Sequence, residues 1–450
     1  MTDNSHNTQH PTSTNRLRWS WFPSLFLGDG MLLSLIVLAL VVLRRFGLNN
    51  AITTLYISLL CLPFLLRPLF EMVVAHFHGT TKVWILSSEF ICTLSLWAIA
   101  FTLPTNYWLQ GFLCFMPFIM VSGIFYKIAI RRFYINKTAD VPPFHKLIAR
   151  LSRCASLMFG IGAMTMLTGN LEVLTRNVRY SWSIVFYIMA GIEFFLWLWH
   201  SIFLPGGKKP YAQSKDLTGL HRGEFRLVMR MMTSGLRNHF MLFSLLFILP
   251  GALTAAISPL LYIDAPHNGG LGLSPQEFGL SFGTIGIIAL FAGIHLGNKA
   301  IARCGLRRCI LPMALLMSLH GLMMTFLSFN TAATLGIVCF STFIAYAALG
   351  FGMSGYWAIV DRFAYSGSGN ELRNAIALGI MSLIVIVSVL LSGLTQNDIG
   401  YRQFFILTTG FYIVPIVAAF LAAILTACIQ NRDVPNNKKL EIMGRGIGDP

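Results

Sequence analysis

Charge is scarce in this sequence. Only 11% of its 450 residues are charged, against roughly 25% in a soluble domain, and its mean hydropathy is +0.68. The apolar residues form runs of about 18 to 25, the length that crosses the hydrocarbon layer of a bilayer. Short alternating segments, which are typical of a membrane β-barrel, are missing. The sequence therefore predicts an all-α polytopic membrane protein surrounded by lipid.

Acidic residues are especially few. The chain has 17 Asp and Glu against 33 Lys and Arg, which gives a net charge of +16. In a soluble protein this surplus would indicate a nucleic-acid partner. Here the cations lie in short loops between apolar runs, so they predict topology instead, and we expect no nucleic-acid partner.

Several kinds of site have no motif. The eight cysteines include no CxxC and no Cys/His ligand spacing, which argues against a disulfide framework or a zinc site. A nucleotide-binding loop and the catalytic strings G-x-S-x-G and H-E-x-x-H are absent, which argues against an ATP-driven pump built from this chain alone and against these hydrolases. We expect no enzyme, no metal and no cofactor. The amino-terminal tail lacks the pattern of a cleaved signal peptide, so we expect none.

About twelve spans are predicted from the apolar runs. We number them in chain order. They lie near Phe22–Leu43, Thr53–Phe70, Val83–Thr102, Trp108–Ile130, Leu147–Leu167, Ser181–Leu204, Met241–Leu261, Phe278–Gly297, Ile310–Leu327, Thr331–Ile359, Ala375–Leu394 and Phe404–Ile429.

The distribution of Lys and Arg predicts the orientation. One side carries most of these residues, including those of both tails and of the long loop between spans 6 and 7. We therefore expect both termini and this loop in the cytoplasm, and the chain in a bacterial inner membrane. The predicted domains are a disordered tail (1–21), a six-helix bundle (22–204), a linker (205–237), a second six-helix bundle (238–430) and a tail (431–450). The even split indicates a duplicated six-helix unit.

A short basic loop separates spans 8 and 9. Its sequence, HLGNKAIARCGLRRCIL (residues 295–311), includes Lys299, Arg303, Arg307 and Arg308. Gly305 permits a tight turn. The three arginines are predicted to hold carboxylates or helix ends on the cytoplasmic face, and so to gate one conformation. The alternative is simple anchoring by positive charge.

This loop resembles the signature G-x-L-x-x-R-x-G-R-R of the major facilitator superfamily. Within that superfamily, FLGDGMLL (26–33), PFLLRPLFE (63–71) and LSPQEFG (273–279) resemble motifs of the AmpG-type muropeptide permeases. The resemblance covers roughly residues 24–429. It implies two pseudo-symmetric six-helix bundles, a monomer, alternating access, and proton-coupled uptake (symport) of a peptidoglycan-derived amino-sugar or muropeptide. The family's acidic residues on helix 4 have no counterpart here.

Asp29 is the leading candidate for a proton or substrate site. It lies about 12 Å into span 1 at 1.5 Å per residue, and ionisable residues at membrane depth are functional by default. The resemblance implies that span 1 lines the transport cavity, and the flanking Gly28 and Gly30 are predicted to let the backbone open. The alternative is a structural carboxylate that caps a broken helix. Glu193 in span 6 and Glu89 in span 3 are further candidates for a proton carrier, because burial would favour their protonated form; the alternative is that both are neutral or paired packing residues.

Two pairs of cations are predicted to handle an anionic substrate. Lys127 and Arg131 lie four residues apart at the end of span 4 and could hold its negative group, or else snorkel to the membrane surface. Arg44 and Arg45 break the positive-inside pattern and could draw an anion to the outer mouth.

The remaining candidates act in gating and sugar recognition. Arg67 and Glu71, one helical turn apart, are predicted to form a cytoplasmic gate pair. Tyr356 and Trp357 in span 10 are predicted to stack on a sugar ring. Asp361 is predicted to pair with the span 4 cations.

The sequence leaves rival functions open. A siderophore or other anionic-metabolite permease of the same superfamily fits the same cations. A membrane-embedded transferase would need a clustered His/Asp/Glu site, which the sequence does not indicate. A non-transporting membrane sensor is the third alternative.

Overall fold

The computed structural model describes residues 21–76, 80–137, 143–206, 230, 239–365 and 370–420. This part of the chain is helical and contains no strand. Both predicted tails, except residue 21, and nearly all of the predicted linker 205–237 lie outside it. The predictions for those segments stay predictions.

The first six spans are bounded as follows. They are Trp21–Arg45 (span 1), Asn50–Leu65 with Arg67–His76 (span 2), Thr81–Thr102 (span 3), Trp108–Lys137 (span 4), Pro143–Leu157 with π-helical Met158–Ala163 and Met164–Thr175 (span 5), and Val178–Phe203 (span 6).

The later spans follow the same order. They are His239–Ile263 (span 7), Pro275–Phe278 with π-helical Gly279–Gly286 and Ile287–Cys304 (span 8), Leu306–Phe329 (span 9), Leu335–Tyr365 (span 10), and Asn370–Phe411, which contains span 11 and the start of span 12. A 3-10 turn, Pro266–Asn268, follows span 7.

The described helices account for twelve spans. Ten are long and apolar enough to cross a membrane, and the bent pair in span 2 makes eleven. The longest, Asn374–Phe420, has 47 residues, about 70 Å at 1.5 Å per residue, or more than twice the hydrocarbon thickness. It breaks at Gly400, where φ is +79°, so it contains two spans. The predicted fold class is confirmed.

Contacts within the chain define two compact units. Unit 1 holds the described residues of 1–49, 56–229 and 274–284, and unit 2 those of 50–55, 230–273 and 285–450. The start of span 2 belongs to unit 2 and the start of span 8 belongs to unit 1, and the predicted domain boundaries stay predictions.

In unit 1, the π-helical parts of spans 5 and 8 cross backbone to backbone. A Cβ atom on Gly283 would lie 2.5 Å from Cα of Gly162, and one on Gly279 would lie 2.6 Å from the Gly162 carbonyl oxygen. Neither separation is sterically allowed, so only glycine fits. π-Helical turns are rare and occur frequently at functional sites. The apolar pattern of the sequence did not predict them.

Gly283→Leu should therefore destabilise the protein strongly. The two backbones must separate, and overpacking of this kind costs about 1–3 kcal/mol. We expect less folded protein on size-exclusion chromatography and a lower melting temperature in detergent. Gly191→Leu in span 6 is the matched control, because Gly191 is exposed and nothing lies within 4 Å of its Cβ position. Equal melting temperatures for the two variants would contradict the prediction.

Candidate functional site

Asp29 lies in unit 1 between two cations from other spans. Arg153 of span 5 donates from Nε to Oδ2 of Asp29 at 2.7 Å. Nζ of Lys127 in span 4 lies 3.8 Å from Oδ1, and this oxygen accepts no hydrogen bond from the described residues. The Asp29 residue is only 5% exposed. We call Asp29, Lys127 and Arg153 the charge cluster.

Glycines on both sides of Asp29 position this cluster. A Cβ on Gly28 would lie 2.5 Å from the Tyr126 hydroxyl, which donates to the Leu25 carbonyl at 3.1 Å. A Cβ on Gly30 would lie 2.7 Å from Cβ of Ser156. Spans 4 and 5 can approach span 1 only because these side chains are missing.

The glycines have a different role from the predicted one. Span 1 is helical without a break from Trp21 to Arg45, so the expected local opening at Asp29 is wrong, as is the alternative of a cap on a broken helix. Ser156 instead donates to the Leu27 carbonyl at 2.5 Å. This bond fixes span 5 one turn away from Arg153 and so aims the guanidinium at Asp29.

The surroundings of the cluster are positively charged. Arg67 and Arg153 act electrostatically on Lys127, and Arg131 acts on Arg67. Nε of Arg67 is buried and has no hydrogen-bond partner in the described part of the chain. Two carboxylates, Asp29 and Glu71, thus lie among four cations, and an additional anion would be attracted to this place.

Aromatic rings support two of the cations. Nζ of Lys127 lies 5.6 Å from the centre of the Phe64 ring, and the Arg153 guanidinium lies 5.5 Å from the centre of the Phe26 ring. Such contacts stabilise a cation where water is scarce.

Arg153 is a member of the charge cluster that the sequence analysis did not name as a site residue. The distribution of Lys and Arg had counted it only among the cations of the cytoplasmic side. Yet it lies six residues after Leu147, where span 5 was predicted to begin, which is about 9 Å along the helix. This depth was a signal available from the sequence.

Glu71 of span 2 accepts hydrogen bonds from Arg132 of span 4. Its Oε2 accepts from Nη2 of Arg132 at 3.0 Å, and the same nitrogen donates to the Glu71 carbonyl at 3.0 Å. Arg67, the predicted partner of Glu71, acts on it electrostatically. The gate pair predicted within one helix is therefore part of a contact between spans 2 and 4.

Arg44 and Arg45 both have partners in unit 1. Arg44 donates from Nη1 to the Leu48 carbonyl at 2.8 Å, and Arg45 forms an ion pair with Glu172 of span 5. Since Glu172 neutralises Arg45, the structure gives no support to the predicted role in drawing an anion. That role rests on the sequence alone.

Glu89 and Glu193 lie in spans 3 and 6 of unit 1. Glu89 contacts Nδ1 of His200 at 2.6 Å. The Oε1 atom of Glu193 is buried and has no hydrogen-bond partner in the described ranges. The structure does not bring Glu193 into the charge cluster.

The span 10 candidates differ in exposure within unit 2. Tyr356 is almost completely buried, whereas Trp357 is 37% exposed, and their ring centres lie 5.9 Å apart. Asp361 is exposed. Burial leaves Trp357 as the more accessible ring for stacking.

The loop between spans 8 and 9 is a single-residue turn. Gly305 has φ +79° and joins Cys304 directly to Leu306, which confirms the predicted turn. Arg303, Arg307 and Arg308 are all exposed.

The arrangement of possible metal ligands was compared across the described residues. Across the described ranges, no three His, Cys, Asp or Glu side chains are placed to hold a metal ion.

Comparison with solved structures identifies the fold. A proton-dependent oligopeptide transporter structure matches with a TM-score of 0.63 and 12% identity, over 93% of this chain and 100% of the other. A bacterial homologue of the human lysosomal transporter Spinster, inward-facing and occupied, matches with a TM-score of 0.62 and 14% identity, over 92% and 97%. The described chain shares the fold of these solved transporter structures.

A third similar structure agrees. A mutant of the nucleoside transporter NupG matches with a TM-score of 0.59 and 14% identity, over 90% of this chain and 99% of the other. No family model and no curated protein matches the sequence. At these identities the similarity establishes the fold alone.

Proposed function

We propose that the chain is a secondary active transporter that works by alternating access and binds a proton and an anionic solute at the charge cluster. The fold supports this, since the similar structures are of transporters, one of them described as proton-dependent. The proposal includes a location in a bacterial inner membrane with both termini in the cytoplasm.

The observation that carries the proposal is the charge cluster itself. Charges inside a membrane-spanning bundle are costly and are kept where function needs them. Asp29, Lys127 and Arg153 come from three different spans, 1, 4 and 5. Ion pairs within the fold could be replaced by apolar contacts without loss of stability, so stability alone does not account for the cluster.

The geometry supports an exchange of partners. A carboxylate or phosphate on the solute would compete with Asp29 for Arg153 and Lys127. Asp29 would then lose its counter-charges and bind a proton, and Oδ1 is the atom suited to receive it because it has no hydrogen-bond partner among the described residues. Proton and solute binding would thereby be coupled at one carboxyl group.

The sequence resemblance favours a peptidoglycan-derived amino-sugar or muropeptide as the solute. Muropeptides and muramic-acid sugars carry carboxylates, which fit the cations of the charge cluster. A siderophore or another anionic metabolite would satisfy the same cations and is the second candidate.

Uptake into proteoliposomes tests this function. An inside-alkaline pH gradient would be imposed, and three labelled probes compared: an anhydro-amino-sugar, an anionic ferric siderophore and a neutral disaccharide. We expect gradient-driven uptake of the first probe. Uptake of the second alone would favour the second candidate, and uptake of neither anion would contradict the proposal.

The arginines of the loop between spans 8 and 9 should affect turnover more than insertion. Arg303→Ala and Arg308→Ala remove exposed side chains, so both variants should reach near wild-type amounts in the membrane yet transport slowly. Lys299→Ala is the matched control for a cation at the same end of span 8. Wild-type flux in both arginine variants would reduce the loop to an anchor.

A further inference from the structure

A buried hydrogen-bond chain links spans 1, 6 and 3 in unit 1. Oγ of Ser24 lies 2.8 Å from Nε2 of His200, and Nδ1 of His200 lies 2.6 Å from Oε1 of Glu89. The exposed fractions are 7% for Ser24, 0% for His200 and 1% for Glu89. The function proposed above uses none of these residues.

Counting hydrogens fixes the protonation of this chain. Oγ of Ser24 donates to the Trp21 carbonyl at 2.9 Å, and a hydroxyl group has only one hydrogen. Ser24 must therefore accept from His200, so Nε2 carries a hydrogen. The contact between Nδ1 and Glu89 then needs another hydrogen, because two acceptors would repel each other.

Two arrangements satisfy this count. Either a protonated Glu89 donates to a neutral imidazole, or an imidazolium donates to the Glu89 carboxylate. Both contain one shared proton, and both are electrically neutral. Neutrality matters because an uncompensated charge at this depth is costly.

Among the described residues, no cation other than His200 contacts the Glu89 carboxyl group. The Oε1 atom of Glu193 is buried and lacks a hydrogen-bond partner there, and Glu193 acts electrostatically on Glu89. Lys82 is already engaged, since its Nζ donates to the carbonyls of Ser201 and Leu204 at 2.9 and 2.8 Å. The titratable groups that act on Glu89 are Cys92 of span 3, Tyr126 of span 4, which also forms a side-chain hydrogen bond with it, and Glu193 of span 6.

We propose that Ser24, His200 and Glu89 form a second proton-binding site, distinct from the charge cluster, which ties spans 3 and 6 to span 1 while its proton is bound. On release, the shared proton passes to water and leaves a Glu89 carboxylate beside neutral His200. The resulting negative charge is buried next to Glu193, so the contact loosens. Ser24 lies five residues before Asp29, about 7.5 Å along the helix. Proton release at Ser24, His200 and Glu89 can therefore affect the charge cluster through a movement of span 1.

The pH dependence of stability follows from the proton count. Above about pH 6.5, the ordinary pKa of histidine, unfolded chains hold neither the glutamate proton nor the second imidazole proton. The folded chain then binds one proton more than the unfolded chain. The contribution of this pair to stability must therefore fall as pH rises above this value, by proton linkage.

Thermal melting of the purified full-length chain in detergent tests the site without any solute. From about pH 6.5 to pH 9, we expect the wild-type melting temperature to fall by several degrees. In Glu89→Gln the amide can still donate to Nδ1 but cannot release a proton, so the fall should be smaller than in the wild type by the share of one proton. Glu193→Gln leaves the hydrogen-bond chain intact and should keep the fall. An unchanged pH dependence in Glu89→Gln would overturn the proposal.

Infrared spectroscopy provides a second test, which does not require the Glu89→Gln variant to fold. At about pH 8, more than one unit above the histidine reference value, wild-type protein with isotope-labelled histidine should show either an imidazolium signal or a protonated carboxyl band. In Glu193→Gln one of these signals must persist, and the loss of both would overturn the site. Neither experiment depends on transport, so failure of the proposed function and failure of this site remain distinguishable.

Discussion

Asp29→Asn is expected to abolish solute uptake driven by a pH gradient while solute exchange across the membrane stays measurable. Coupling requires a carboxyl group that binds a proton on one side and releases it on the other, and asparagine cannot do this. Exchange of labelled for unlabelled solute involves no net proton movement. Because asparagine has the same shape and its oxygen still accepts from Arg153, the fold should be preserved. The measurement is uphill uptake and counterflow of the anhydro-amino-sugar in the same proteoliposomes.

Glu193→Gln is the matched comparison for this experiment. It also removes one buried carboxyl group, but in span 6 and outside the charge cluster. If Asp29→Asn transports uphill as well as the wild type while Glu193→Gln does not, span 1 is the wrong place for coupling. The coupling site would then lie in the region of span 6, and the charge cluster would be structural.

The length and composition of the apolar runs were enough to predict a chain of about twelve membrane-spanning helices. Each run needs internal hydrogen bonds to cross lipid, which forces a helix, and the cations between runs mark where helices end. The turn at Gly305 was also predictable, since a positive φ suits glycine. The π-helical turns were not, because they depend on the close crossing of Gly162 with Gly283.

The partners of the charged residues could not be predicted. Sequence spacing reveals neighbours one turn apart, such as Arg67 and Glu71. The observed partners of Asp29 and Glu89 are Arg153 and His200, separated from them by 124 and 111 positions. Such pairs arise from how the spans pack, so the residue types alone left them open.

The glycines around Asp29 illustrate the same limit. Gly28 and Gly30 were predicted to loosen the helix, and they instead admit Tyr126 and Ser156 against it. A glycine in a sequence indicates missing bulk, but it does not say whether the space serves the backbone or a neighbouring side chain. Only the packed structure distinguishes these two uses.

Arg153→Met should destabilise the protein, and adding Asp29→Asn should restore part of the loss. The single variant leaves the buried Asp29 carboxylate without its hydrogen-bond donor, which costs roughly 1.5–3 kcal/mol for a charged group. The lower end applies because the Arg153 side chain is 34% exposed. We expect the melting temperature in detergent to fall by a few degrees, and the double variant to lose less than the sum of the two single variants.

Lys127 provides the control that separates a specific bond from general charge. Its Nζ is 3.8 Å from Asp29, without a hydrogen bond, so the Lys127→Met and Asp29→Asn pair should show weaker coupling than the Arg153 pair. Residues in contact typically couple by about 0.5–3 kcal/mol, whereas independent sites add within about 0.5 kcal/mol. Additive effects of Arg153→Met and Asp29→Asn would mean that their hydrogen bond contributes little. The exchange of partners proposed for the solute would then lose its physical basis, because a solute anion could not release Asp29 from a bond that hardly holds it.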